Sequence, residues 1–135
     1  AKALSVAVAV MVVVAGLLGY RSYVAGLPEI PFAKLPADVQ SEIRMHLQQA
    51  DQAWALSQQG QSVLINDAVG EYAAAWELQP RNPQASRGLR RSADYIIERL
   101  SALPDAAMRR QQLQELASRS EYYAGYQPLK EALAQ

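Results

Sequence analysis

The chain of 135 residues has no cysteine, one histidine and one phenylalanine, and its 13 basic and 13 acidic side chains cancel. Without cysteine there is no disulfide framework and no thiolate metal site. With His46 as the lone imidazole, zinc and di-iron centres of the usual ligand types are argued against as well. The seven glycines are scattered and none follows a strand-like run, so there is no phosphate-cradling loop. Ser, His and Asp occur, but at no spacing that suggests a nucleophile elbow. No stretch alternates apolar and polar with period two over a useful length, which argues against a sheet. A net charge of zero lacks the basic balance that nucleic-acid binding needs. The sequence thus offers no catalytic residue, no cofactor site and no metal ligand, and the expectation is a protein that is not an enzyme. His46 reads as a surface or half-buried helix residue. Glu71 and Glu77 read as solvated, on roughly opposite helix faces.

What is present is unevenly distributed. Residues 1–21 carry +2, residues 22–80 carry −5 and residues 81–135 carry +3. Residues 3–20, ALSVAVAVMVVVAGLLGY, carry no charge. As a helix this run reaches roughly 27 Å, just enough for a hydrocarbon core of about 30 Å. Lys2 and Arg21 can snorkel to the headgroups at its ends, and Tyr20 and Tyr23 suit the interface. A signal peptide would need a small-residue cleavage site, and none follows convincingly. The reading is a membrane span within residues 1–24. Ala15 and Gly19, four apart, could let another helix pack closely, although small residues are common in such helices. Residues 25–36, rich in proline, read as a short linker, with Ile30 and Phe32 free to tuck against the first helix or the bilayer surface.

The remainder, 37–135, reads as an all-α domain. Pro36 opens a helix to about Gln59 on the stripe Val39, Ile43, Leu47, Ala50 and Trp54. Asp38 suits its dipole and Gly60 stops it. Val63, Leu64 and Ile65 are expected to fold back onto the core, and Asn66 to cap the next helix. A further helix near 104–118 should point Met108, Leu113 and Leu116 inward. Ser120 starts a last segment that Gly125 and Pro128 interrupt before a short terminal helix.

The stretch from Asn66 to Leu100 organises the rest. Ala68, Tyr72 and Ala75 share a face, Pro80 ends their helix, and Asn82 caps a new one beginning at Pro83. Ala85, Leu89, Ala93, Ile96, Ile97 and Leu100 form the stripe of that second helix. Ala68-x3-Tyr72-x2-Ala75-x4-Pro80, followed by Asn82, Ala85 and Leu89, resembles the tetratricopeptide repeat (TPR), and WELQPRNPQA is similar to its inter-repeat joint. Two departures stand out. Arg90 occupies a position usually small, and the following helix lacks the Ala-x3-aromatic-x2-Ala pattern. The resemblance implies one good joint with degenerate neighbours. Trp76 stands where that repeat usually has leucine.

Two surface features remain. Arg81, Arg87, Arg90, Arg91 and Arg99 form a basic run. They can pair with Glu77, Asp94 and Glu98, or meet anionic lipid or an acidic partner segment. In the resembled fold the first helix of each hairpin lines a concave face, which makes Arg87, Arg90 and Arg91 partner-binding candidates. Tyr122, Tyr123 and Tyr126 either cap the open end of the helix stack or form a partner surface. The resemblance implies a membrane-anchored protein–protein interaction scaffold, adaptor or assembly subunit of a bacterial envelope complex. It would sit in the inner membrane by a single span, with its helical domain on the periplasmic side and its partners being proteins and membrane lipid. Two other readings stand beside it: the non-catalytic tail of a larger membrane enzyme or receptor preceding Ala1, and a small accessory subunit held in a complex mainly by its span.

Overall fold

Each helix boundary follows from local chemistry. The computed structural model describes residues 30–135, and every regular element among them is helical. A 3-10 turn at Phe32–Lys34 leads to α1, Ala37–Gln58, with Pro36 at its N-cap and Asp38 in its first turn. The expected stripe is present: Ile43, Leu47 and Ala50 are buried, and Val39 and Trp54 pack against them. Gly60, at φ 100, turns the chain out of the helix, while the Gln61 amide donates back to the Leu56 carbonyl at 3.2 Å. This is the 6→1 bond of a Schellman stop, and the left-handed conformation it needs is costly for any residue with a Cβ.

A 3-10 turn at Ser62–Leu64 then runs straight into α2, Ile65–Leu78. Leu64, not Asn66, occupies the N-cap, because the 3-10 turn delivers the backbone already in helical conformation. Of the three residues expected to fold back, Ile65 is buried and Leu64 half-buried, but Val63 is 74% exposed. Ala68, Val69, Tyr72, Ala73 and Ala75 form the buried face of α2.

The joint to α3, Pro83–Ser101, is a tight turn over Gln79–Asn82. Pro80 fixes a negative φ, Arg81 follows at φ 71, and the Asn82 amide donates to the Gln79 carbonyl at 3.0 Å. That combination is a type II turn, with arginine where glycine is usual. Asn82 Oδ1 accepts from the Ala85 amide at 2.9 Å, and its Nδ2 donates to Gln79 Oε1 at 2.8 Å. Gln79 Nε2 donates in turn to the Ile30 carbonyl at 2.9 Å. Both amide side chains are buried, so the joint is held from inside.

Across this joint Tyr72 packs on Gly88, where a Cβ would fall only 2.4 Å from the tyrosine ring. Gly88 is the small residue of the contact, two positions before Arg90. Asp105 caps α4, Ala106–Ser118, by accepting from the Ala107 and Met108 amides at 3.0 and 3.2 Å. Leu113 and Leu116 point inward, but Met108 is 48% exposed. It lies about 140° around the helix from Leu113. Its neighbour Arg109 turns back instead, donating to the Leu103 carbonyl at 2.7 Å. A 3-10 turn at Glu121–Gly125 and α5, Gln127–Ala134, complete the chain.

Consecutive helices pack on one another, and α1 also lies beside α3 and α3 beside α5. The stack is therefore two helical hairpins, α1–α2 and α3–α4, closed at one end by the tyrosine turn and α5. Residues 30–36, expected as linker, belong to the folded unit, since Phe32 and Leu35 pack against the core. Among the described residues no helix is long and apolar enough to cross a membrane. The span expected over residues 3–20, with Ala15 and Gly19, lies outside the described residues.

Candidate protein-interaction surface

The three arginines expected to act together are divided between two settings. Arg91 sits where α1, α2 and α3 meet. Its guanidinium lies 4.2 Å from the centre of the Trp54 ring. Its Nη2 donates to the Tyr72 hydroxyl at 2.9 Å and stands 4.0 Å from an Asp51 carboxylate oxygen. The Tyr72 hydroxyl donates to Asp51, whose other oxygen accepts from Gln84 Nε2 at 3.1 Å. Burial first, and then the Asp51 carboxylate, pushes the Tyr72 pKa up to about 12. The Trp54 ring also meets Tyr95 edge-on at 5.8 Å. Arg91 is thus engaged in stitching α3 to the first hairpin.

Arg87 and Arg90, one helical turn apart, line a separate groove of about 420 Å³ with Trp76 and Tyr122 as aromatic walls. Arg81, Pro83 and Ser86 complete it at the α3 N-terminus. Neither Arg87 nor Arg90 forms an ion pair among the described residues, so these two do not make the pairing expected with Glu77, Asp94 and Glu98. Asp94 instead accepts from the Tyr126 hydroxyl. Arg90 Nη1 donates to the Tyr122 hydroxyl at 3.3 Å, a long bond to a neutral group.

The tyrosine set is divided as well. Tyr123 is 2% exposed and its hydroxyl donates to the Leu89 carbonyl at 2.8 Å. It closes the core, and burial drives its pKa well above the usual phenol range. Tyr126 is half-buried, and burial followed by the bond to Asp94 raises its pKa too. Tyr122 spans both roles. It meets Tyr123 and Tyr126 on one side, at 5.8 and 6.0 Å, and the Trp76 ring on the other, at 6.1 Å and 73°. Of the six expected partner-binding residues, the groove brings together Arg87, Arg90 and Tyr122.

Trp76 and Ser86 were not expected there, and Arg81 was expected only as part of the basic run. Trp76 is the one with a signal in the sequence, as an aromatic side chain in a leucine position. A second depression, of about 440 Å³, lies over Phe32, Leu47 and Asn82. Its one cation, Arg44, stands 5.0 Å from the centre of the Phe32 ring. His46 is half-buried, and its Nδ1 donates to Glu71 at 2.6 Å, so Glu71 ties α2 to α1 and is not merely solvated. No family model, curated protein or solved structure matches the chain.

Proposed function

We propose that the chain is a protein–protein interaction module, a membrane-held scaffold or adaptor subunit of a bacterial envelope complex. The observation that carries this reading is the Trp76–Tyr122 groove. Two half-buried aromatic side chains flank two arginines that have no ion-pair partner among the described residues. Aromatic and arginine side chains are the residue types enriched where proteins bind one another tightly. The uncharged run at residues 3–20 would supply the anchor, and tethering raises the local concentration of a partner on the same membrane.

Photo-crosslinking in native membranes tests the reading. A crosslinker at Ser86, which lines the groove, should capture one protein at fixed stoichiometry. The same group at Gln111, exposed on α4, should capture none. Adducts at neither position, or equally at both, would reject the module.

A further inference from the structure

We propose that the Trp76–Tyr122 groove takes a short acidic peptide segment in which a carboxylate stands next to an aliphatic side chain. This rests on the interaction-module reading and gives the partner a chemistry. Arg87 and Arg90 are three apart on α3, which places their side chains on one helix face. A guanidinium without an anion presents a planar fork whose natural partner is a carboxylate. The N-terminus of α3 adds its positive dipole end. No carboxylate lines the groove. Arg87 and Arg90 therefore have no carboxylate partner in the groove wall.

The aromatic walls decide between anions. Trp76 and Tyr122 meet at 73°, so they form a corner and not a parallel slot. Perpendicular rings do not make the parallel slot that would clamp a base, and the chain lacks the basic balance that nucleic-acid binding needs. A corner with Pro83 beside it suits a branched aliphatic side chain. A groove of about 420 Å³ holds a few side chains and not a folded domain. The Arg90 bond to the Tyr122 hydroxyl, at 3.3 Å, is weak enough to be exchanged for a charged acceptor.

Peptide titration of the full chain in detergent micelles tests the proposal. Trp54→Phe leaves Trp76 as the one tryptophan and its fluorescence as the signal. The probes are blocked peptides of alternating Glu-Leu, Gln-Leu and Lys-Leu, together with vesicles of phosphatidylglycerol. The Glu-Leu peptide should bind saturably, roughly tenfold or more tighter than the Gln-Leu peptide, while the Lys-Leu peptide should not bind. Its affinity should fall with added salt. Arg87→Gln with Arg90→Gln should abolish the preference, and the double lysine variant should weaken it partly, since lysine keeps the charge and loses the fork. Arg91→Gln should retain it. Equal binding of all three peptides, no binding at about 1 mM, or a response to vesicles alone would overturn the proposal. Should the charge preference fail while Ser86 still crosslinks one protein, the module reading stands and the acidic ligand does not.

Discussion

Gly88→Ala measures how closely the two hairpins approach. In an open helix this change would stabilise by about 1 kcal/mol, because glycine is the poorer helix former. Here the new methyl group would stand only 2.4 Å from the Tyr72 ring. The ring is fully buried, and its hydroxyl is held by both Asp51 and Arg91. Overpacking a filled site costs about 1–3 kcal/mol. Pulling the hydroxyl from its partners adds about 1 kcal/mol for each bond lost. The net expectation is a loss of about 2 kcal/mol, or a Tm lower by roughly 8–16 °C for a domain of this size. Thermal melts followed by far-UV circular dichroism read it. The cause is isolated by a double-mutant cycle with Tyr72→Leu, which removes the ring from the path of the methyl. The pair should cost clearly less than the sum of the single changes. A Tm that rises in Gly88→Ala, or strict additivity in the cycle, would show that the contact is not as tight as the packing requires.

Three further outcomes are expected. Ser92 Oγ is buried without a hydrogen-bond partner, so Ser92→Ala should be neutral or raise stability by about 1 kcal/mol in denaturant titration. Arg91→Ala should cost about 1–2 kcal/mol by losing the Trp54 stack and the Tyr72 bond, whereas Arg87→Ala should stay within about 0.5 kcal/mol; equal costs would contradict the division of the arginines. Alkali should destabilise the domain. The Tyr72 pKa is about 12 in the fold against 10.0 as the ordinary value, so stability is full below pH 10 and declines from there towards pH 12. At about 1.4 kcal/mol per unit the decline reaches roughly 3 kcal/mol, and Tyr72→Phe should reduce it when melts are compared across that range.

Much of the helical framework was legible because its signals are local. Pro36, Gly60, Pro80, Asn82 and Pro83 each constrain a backbone position whatever surrounds them, and the stripes on α1 and α3 repeat at helical spacing. The misreadings are of another kind. Asn66 looked like a cap, but the 3-10 turn before it had already set the helix. Met108 looked buried because it is apolar, while the inward angle near it belongs to Arg109. In the candidate site the arginines could be counted but not sorted. Residues three and four apart share a helix face, yet here one turns to Trp54 and the others to Trp76. Which aromatic side chain waits on each side depends on helices distant in sequence, and no spacing along α3 encodes that. The role of Tyr123 was hidden for the same reason, since its acceptor is a backbone carbonyl at Leu89.

The bond from Gln79 to the Ile30 carbonyl has a mechanical consequence. The chain at Ile30 is fastened to the seam between the hairpins and not only to the tip of α1. Phe32 under Arg44, and the Gln40 amide on the Leu35 carbonyl at 2.8 Å, hold the next few residues down. Tension arriving from the N-terminal side is therefore delivered to the Gln79–Asn82 turn. That turn also carries Arg81 into the wall of the groove. A pull on Ile30 and a ligand beside Arg81 would bear on the same turn.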